Sequence, residues 1–477
     1  MNAEPAIAFR RLQARRRPAR TLRRVLAVLG GALAAFAPAH AQAQKRSIAL
    51  IRDAEIEQLL RDYATPIFKA AGINARGTRI ILINDRAFNA FVADGKSIFV
   101  NIGVLMDAAT PNEVIGVLAH ESGHLAGGHL ARLRQEIQGA QILSIAGLLA
   151  GAGAVVAGAR GGGGSMGNPG IGAMGALTGP QELVRRSLLA YQRSEEQAAD
   201  RAAVRYLGAA GMSAKGMLTV FGRFAENSAF LTRSIDPYTI SHPMPTERVA
   251  QLETLAKASP HFNKADPPEL QARHDLMRAK LMGFVERESG VARRYGMADQ
   301  SMAARYARAI SDYRSGRMAQ ALAAMDKLSA EQPRNAYFLE LKGQALLEAG
   351  RAREAVPVLR QAVALAPQAG LIRQMLGHAL LSTGQAGLLD EAIRELSNAA
   401  SREPDSAEVH QHLSNAYAAK GNIAMAELSA AQYAFAKGDW TVAHTQASRA
   451  LGKLPQGSPA ALRARDIVDY VPPDKQR

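Results

Sequence analysis

The sequence has 477 residues, 48% of them hydrophobic and only 5% aromatic, which predicts two or three domains built mainly from tightly packed helices. Residues 1–43 hold eight arginines and one glutamate, and so account for +7 of the formal net charge of +16. The other basic residues are spread along the chain, which argues against nucleic-acid binding. The absence of cysteine excludes disulfides and thiolate ligands, so any metal must be bound by histidine and carboxylate.

Residues 1–43 are predicted to form a signal peptide. Arginines precede the apolar run VLAVLGGALAAFAPA, and the small-x-small sequences AHA and AQA follow it, so cleavage is expected near Ala41 or Ala43. A retained membrane anchor is the alternative, but the apolar run is short for a membrane span. The sequence therefore predicts export to the periplasm.

Residues 44–75 are predicted to form a helix, because apolar side chains fall on one stripe and Pro66 follows that stripe. Two short β-branched runs come next, RIILIND (79–85) and SIFVNIG (97–103). The turn signal Asp94-Gly95 lies between them, which predicts a small sheet or hairpin. We expect the strand around Ile98–Val100 to pair with an extended substrate.

The stretch VLAHESGHLAGGHL (117–130) carries three histidines and a glutamate among small and apolar residues. A helix is predicted to begin after Thr110, an N-cap residue that a proline follows. His120 and His124 are four residues apart and so share one helix face, while Glu121 lies beside them. This is the logic of H-E-x-x-H, in which two metal ligands accompany a general base.

A catalytic zinc needs a third protein ligand. The best candidate is Glu196, because Asp200 lies on the same helix face and can brace a histidine N–H. Glu195 is an alternative without an acidic partner four residues on. His129 is a further alternative, but on a continuing helix it would face away from His124, so we expect it on the helix surface or behind the ligands.

Two further segments bound this first domain. Residues 142–180 are apolar and then glycine-rich, which predicts a lid or buried hairpin, with membrane contact of 142–159 as the alternative. A second helical stretch is predicted over 181–207, and KADPPEL near residue 265 indicates a domain boundary. We therefore expect domain limits of 44–265 and a linker helix over 266–301.

The C-terminal part of the chain is repetitive. Gly316, Gly350 and Gly384 are 34 residues apart, and Pro333 and Pro367 show the same spacing. Three extra residues in GQAGLLDEA lengthen the next interval. A 34-residue period with a turn glycine and a terminal proline resembles the tetratricopeptide repeat. The sequence predicts a helical solenoid over 302–455 and a tail over 456–477.

Three motifs together resemble the M48 metallopeptidase family. HESGH matches H-E-x-x-H, RSEEQAAD keeps the glutamate and the Ala-Asp pair of a second motif, and SHPMPTER matches H-P-x-x-x-x-R. Gln192 stands where the family usually has serine. The segment NAFVADGKSIFVNIG also looks like the part that precedes the family's zinc helix.

The resemblance implies a zincin-like α+β metalloprotease domain with a small sheet, followed by the α-helical solenoid, in a mainly α protein. It further implies one Zn²⁺ per chain, held by His120, His124 and Glu196. A histidine in the third motif, here His242, can occupy the open metal position in some members, or act on the transition state. Arg248 is expected to steady a carboxylate or a substrate carbonyl.

The implied function is that of an exported zinc endopeptidase that degrades misfolded or misassembled outer-membrane proteins and can assist their assembly. Unfolded polypeptides would be its substrates, and the solenoid would bind the outer-membrane assembly machinery, with peripheral membrane association as an option and no nucleic acid. The alternative is a non-catalytic periplasmic assembly scaffold that uses the tetratricopeptide domain.

Overall fold

The computed structural model describes residues 49–133, 135–136, 191–230, 242 and 246–472. A small sheet and a set of helices form the first part, and helix pairs form the rest, which confirms the predicted fold class. The predicted signal peptide (1–43) and the segment predicted as a lid (142–180) lie outside the described residues. Among those described, no helix is both long and apolar enough to cross a membrane.

The sheet has four strands in the order β1-β2-β4-β3. They are β1 Leu50–Ile51, β2 Arg79–Ile83, β3 Ala90–Val92 and β4 Ser97–Asn101. The two β-branched runs form β2 and β4, which pair in parallel, and so they are not the two arms of a hairpin. The hairpin joins β3 to β4, and Asp94 Oδ1 accepts from the N–H of Lys96 (2.9 Å) at its turn.

The first helix runs over Ala54–Ala71 and is shorter than predicted. Asp53 caps it by accepting from the Ile56 N–H at 2.9 Å, and Gly72 ends it with a φ of 68°. Pro66 lies inside this helix, not after it. The helix continues past the proline because Ile67 and Phe68 are buried in the core, and this burial offsets the lost backbone hydrogen bond.

The other helices of the first part are Ile102–Asp107, Pro111–Gly127, 129–133, 191–209, Lys215–Phe230, Thr246–Lys257, Pro268–Val285 and Glu288–Arg294. The helix Pro111–Gly127, here called the motif helix, begins as predicted at Thr110, whose Oγ1 accepts from the Glu113 N–H. It ends at Gly128, which has a φ of 65°. The motif helix is buried along its first thirteen residues, so its polar residues face protein and not solvent.

Helix Pro268–Val285, part of the predicted linker, contributes to two hydrophobic cores. Met277 and Leu281 pack in the core that contains the motif helix, whereas Leu276 and Ala279 pack with the first helix pair of the solenoid. A helix shared in this way is a structural bridge and not a flexible connection.

The solenoid consists of helix pairs with tight turns. Its helices are Met302–Arg314, Met318–Glu331, Ala336–Glu348, Ala352–Leu365, Gly370–Ser382, Leu389–Arg402, Ala407–Ala419, Ile423–Ala436, Trp440–Leu451 and Pro459–Val468. The repeated turn glycines adopt positive φ, 77° at Gly316 and 73° at Gly350, which explains the residue type. The three inserted residues form a 3₁₀ turn, Ala386–Leu388. The segment predicted as a tail contains the last of these helices, which packs on Trp440–Leu451.

Candidate metal centre

Three separate segments bring their polar side chains to one buried point. The motif helix supplies His120 and His124, helix 191–209 supplies Glu196, and the loop before helix Thr246–Lys257 supplies His242. One potential ligand atom from each of these four side chains lies within 4.8 Å of the others. This set of imidazole and carboxylate donors could hold a divalent metal ion.

The three side chains predicted as ligands lie in mutual contact. His124 Nε2 is 3.1 Å from His120 Nε2. Glu196 Oε2 is 3.3 Å from His120 Nε2, and its Oε1 is 3.3 Å from His124 Nε2. Both imidazoles therefore turn their Nε2 atoms toward the same carboxylate.

His242 is the fourth side chain of the cluster. Its Nδ1 lies 3.0 and 3.1 Å from the two carboxylate oxygens of Glu196 and 3.4 Å from His120 Nε2. Its Nε2 lies 3.3 Å from the carbonyl oxygen of Ala90 and 3.5 Å from Glu121 Oε1. His242 therefore covers the cluster on the side where β3 and Glu121 lie.

Glu121 is fully buried beside the cluster. Within the described part of the chain, neither of its carboxylate oxygens has a hydrogen-bond partner. Burial raises the pKa of Glu121, as expected for a carboxylate removed from water. A buried carboxylate with a raised pKa, close to a metal-binding set, has the properties of a general base.

Asp200 and Arg248 support the cluster from behind. Asp200 Oδ1 lies 3.0 Å from His120 Nδ1, within ion-pair distance. Arg248 donates from Nε to Asp200 Oδ2 (2.6 Å) and from Nη2 to Asp200 Oδ1 (2.9 Å), and its Nη1 is 2.9 Å from Glu196 Oε2. Of the two roles considered for Arg248, the contacts favour that of steadying carboxylates.

The electrostatics of the two motif histidines differ. Burial would lower the pKa of His120, but contacts with Asp200 and Glu196 raise it to about 9. Burial lowers the pKa of His124 to about 3. The pKa of Glu196 is held well below its usual value because three histidines outweigh its burial. The metal-free cluster thus combines an ionised carboxylate with one readily protonated and one neutral imidazole.

His129 does not face away from His124, because the premise of a continuing helix is wrong. The motif helix ends at Gly127, and Gly128 reverses the chain. His129 Nδ1 then lies 2.9 Å from His124 Nδ1, and its Nε2 lies 2.8 Å from Glu195 Oε2. Glu195 therefore contacts His129 and not the metal-binding set. The glycine pair before His129 is the sequence signal for this turn.

The prediction that the strand around Ile98–Val100 pairs with an extended substrate is also wrong. β4, which holds Ile98–Val100, lies between β2 and β3 and has no open edge. β3 is an edge strand, as β1 is at the other side of the sheet, and its residues Phe91 and Val92 line a cleft together with Glu121 and His124. β3 could not be predicted from the sequence, because its three residues are too few to show an alternating pattern.

Residues 50–256 match the profile of Peptidase family M48. The Beta-barrel assembly-enhancing protease of Escherichia coli (strain K12) is 25% identical over 325 residues, which cover 66% of this chain and 63% of that protein. The protein of the same name in Yersinia pestis is 23% identical over 320 residues, covering 64% of this chain and 62% of that one. The chain thus spans less than two thirds of the length of these relatives.

Among solved structures, MamA MSR-1 C2 has 19% identity and a TM-score of 0.30, covering 36% of this chain and 99% of that one. A TM-score this low supports no argument about fold or function.

Proposed function

We propose that this chain is an exported zinc endopeptidase that degrades misassembled outer-membrane proteins, because residues 50–256 match the profile of Peptidase family M48. The observation that carries the proposal is the buried convergence of His120, His124 and Glu196, with Glu121 beside them. The names of the two relatives, which refer to β-barrel assembly, support the choice of substrate class. The predicted signal peptide supports the periplasm as the location.

The residues present fit a catalytic metal site. Two imidazoles and one carboxylate are the ligand set of several zinc peptidases, and the buried oxygens of Glu121 have no hydrogen-bond partner in the described part of the chain. We assign His120, His124 and Glu196 as the ligands of one Zn²⁺. When bound, the metal would polarise the scissile carbonyl and lower the pKa of a coordinated water.

The chain's own groups would perform the proton transfers and the positioning. Glu121 takes a proton from the attacking water and passes it to the leaving amine. Asp200 lies against the ring of His120, and Arg248 shares its charge between Asp200 and Glu196, which keeps Glu196 in place. This arrangement pre-organises the charges before substrate arrives.

We further propose that β3 receives the substrate as an added antiparallel strand. The N–H of Asn101 donates to the carbonyl of Asn89. Because hydrogen-bonding residues alternate along an antiparallel pair, the backbone groups of Ala90 face away from β4. Strand addition reads backbone and not side chains, and so suits unfolded substrates of varied sequence.

His242 stands where such a substrate would enter. It contacts Glu196 and Glu121 and also the Ala90 carbonyl, so it must move before a strand can pair with β3. We propose that His242 acts as a latch. Replacement of His242 by alanine should then raise the cleavage rate, whereas a role in the transition state would make the same variant slower.

The direct test is digestion of an unfolded outer-membrane β-barrel protein by the purified chain. The wild type should cleave it, and Glu121→Gln should lose activity by at least about a hundredfold while it still binds one metal ion. Equal cleavage by both proteins would rule out the mechanism. If Glu121→Gln restores full function in a deletion strain, the result would instead favour a non-catalytic assembly scaffold. In that case the solenoid would bind the outer-membrane assembly machinery as its partner.

A further inference from the structure

We propose that His129 is a positioning residue that fixes the tautomer and ring orientation of His124, with Glu195 as its anchor. The inference rests on the proposed metal site, because it concerns how one of its ligands is held. It gives a function to His129, which follows the two histidines of the motif helix and binds no metal in our assignment.

The two ring nitrogens of His124 face different partners. Its Nε2 faces the cluster, 3.1 Å from His120 Nε2 and 3.3 Å from Glu196 Oε1. Its Nδ1 faces the other way, 2.9 Å from Nδ1 of His129. His129 therefore contacts the His124 ring at Nδ1. This nitrogen remains available for a hydrogen bond when a metal binds Nε2.

This contact determines where the protons must be. A neutral imidazole carries one proton, and the nitrogen that binds a metal must keep its lone pair. His124 then carries its proton on Nδ1 and donates it to Nδ1 of His129. His129 in turn must carry its own proton on Nε2, which lies 2.8 Å from Glu195 Oε2.

Glu195 is itself held in place. Arg132 donates from Nη2 to Glu195 Oε2 at 2.7 Å, and the Glu195 side chain is 15% exposed. A carboxylate at the end of the chain favours the His129 tautomer with the proton on Nε2. The hydrogen bonds therefore run in one direction, from His124 to His129 and from His129 to Glu195. In this arrangement the ring of His124 presents Nε2 to the cluster.

Two glycines make this geometry accessible. Gly128 has a φ of 65°, which turns the chain back after the motif helix. A Cβ on Gly127 would lie 2.2 Å from Nε2 of His129, so the His129 ring packs directly over the Cα of Gly127. The run Gly-Gly-His thus builds the support of His124 into the end of the motif helix.

The two motif histidines are then supported in the same way by different groups. Nδ1 of His120 lies 3.0 Å from the carboxylate of Asp200, within ion-pair distance. His124 is held at Nδ1 by a carboxylate one ring further off, through His129. Outer contacts of this type typically change metal affinity by about tenfold to a hundredfold.

The experiment measures Zn²⁺ affinity of the metal-depleted full chain by competition with a chelator, and the visible spectrum of the Co²⁺ form. We expect His129→Phe to weaken Zn²⁺ binding by at least about tenfold and to alter the Co²⁺ spectrum. His129→Asn places an amide oxygen near the position of Nδ1, and should stay within about threefold of wild type. His444→Phe, at an exposed histidine, is the matched control and should not change binding.

Unchanged affinity in His129→Phe, or an equal loss in His129→Asn and His129→Phe, would overturn the inference, because ring packing alone would then account for His129. If His129→Phe binds normally while the wild type binds Zn²⁺ and cleaves, this inference fails and the proposed function stands. If the wild type binds no Zn²⁺ at all, both fail.

Discussion

Arg248 is buried between two carboxylates, and both share its single positive charge. It is 4% exposed, donates twice to Asp200 and lies 2.9 Å from Glu196. Its guanidinium also lies 5.5 Å from the centre of the Phe221 ring. Buried carboxylates without a cation are strongly destabilising, so the cluster that would bind metal depends on this arginine for its stability.

We predict that Arg248→Met lowers the free energy of unfolding of the metal-free protein by about 3–5 kcal/mol. Arg248→Lys keeps the charge but cannot make the bidentate contact, and should lie between that variant and wild type. Thermal unfolding with chelator present would measure the effect. Arg61→Met, at an exposed arginine, is the control, and a loss of the same size there would contradict the explanation.

His274 lies outside the cluster and gives the fold a pH dependence of its own. Its ring is fully buried, with Nδ1 3.0 Å from the Tyr63 hydroxyl and Nε2 3.0 Å from the Ala108 carbonyl. A neutral ring satisfies both contacts by donating from Nε2 and accepting at Nδ1. Burial lowers the pKa of His274 to about 4.

We predict that this histidine destabilises the protein as the pH falls. Below a pH of about 6.5 the unfolded chain takes up a proton on this residue that the folded chain takes up only near pH 4. The stability is therefore complete above the unfolded pKa and decreases on acidification, by about 2 kcal/mol between pH 7 and pH 5. Urea unfolding of wild type and His274→Gln at both pH values tests this. Equal pH dependence of the two proteins would show that His274 is not responsible.

At this scale the sequence predicted what spacing determines and missed what a turn determines. His120 and His124, and likewise Glu196 and Asp200, are four residues apart on helices, and helix geometry alone fixes their common face. The place of His129 depends instead on one positive φ at Gly128. The position of His242 could not be predicted from spacing, because its segment shows no helical or strand periodicity.

At the scale of elements, glycine determines how closely the motif helix approaches its neighbours. A Cβ on Gly123 would lie 2.8 Å from the carbonyl oxygen of Ala199, in helix 191–209. A Cβ on Gly116 would lie 2.7 Å from the Cβ of Met217, in helix Lys215–Phe230. The close contact at Gly123 is what brings Glu196 within reach of the two histidines.

We predict that Gly123→Ala separates these two helices and weakens metal binding. The new methyl group meets backbone, which cannot move aside as a side chain can, so the cost should be about 1–3 kcal/mol. Zn²⁺ affinity should fall by about tenfold or more, measured by chelator competition. Gly222→Ala, where a Cβ would meet nothing within 4 Å, should leave affinity unchanged. Tight Zn²⁺ binding by Gly123→Ala would show that the helix spacing is not critical.

The sheet shows why element pairing was harder to predict than the elements themselves. β2 and β4 were both expected from their composition, but nothing local in either run specifies that they pair in parallel. The pairing requires a crossover, and the intervening residues provide it with β3 and its turn at Asp94. Because β3 takes the edge position, the location of the cleft could not be predicted without the topology.

At the scale of the whole molecule, a buried ionic cluster joins the first part of the chain, which contains the sheet, to the solenoid. Lys280 is 3% exposed and lies 2.8 Å from Asp53 Oδ2, 3.2 Å from Glu55 Oε2 and 3.6 Å from Glu340 Oε2. The hydroxyl of Tyr306 donates to Glu55 Oε2 at 3.0 Å. Three carboxylates from two domains therefore share one ammonium group.

Lys280 supplies the positive charge that these three carboxylates share. Burial would lower the pKa of Lys280, but the surrounding acidic groups raise it well above its ordinary value. Burial raises the pKa of Glu340 to about 8 and also raises the pKa of Glu55. Without the lysine, ionised carboxylates would face each other in a largely buried site.

We predict that Lys280→Met lowers the free energy of unfolding by about 3–5 kcal/mol at pH 8, and increases amide hydrogen exchange in the helices Ala54–Ala71 and Ala336–Glu348. The defect should shrink at pH 5, because carboxyl groups with raised pKa values take up protons there and the repulsion is relieved.

Lys342→Met is the matched control. Lys342 lies on the same solenoid helix as Glu340 and pairs with an exposed aspartate. Such pairs contribute less than about 1 kcal/mol. If exchange rises only in Ala336–Glu348 and not in Ala54–Ala71, the cluster stabilises the solenoid alone and does not hold it against the first part of the chain.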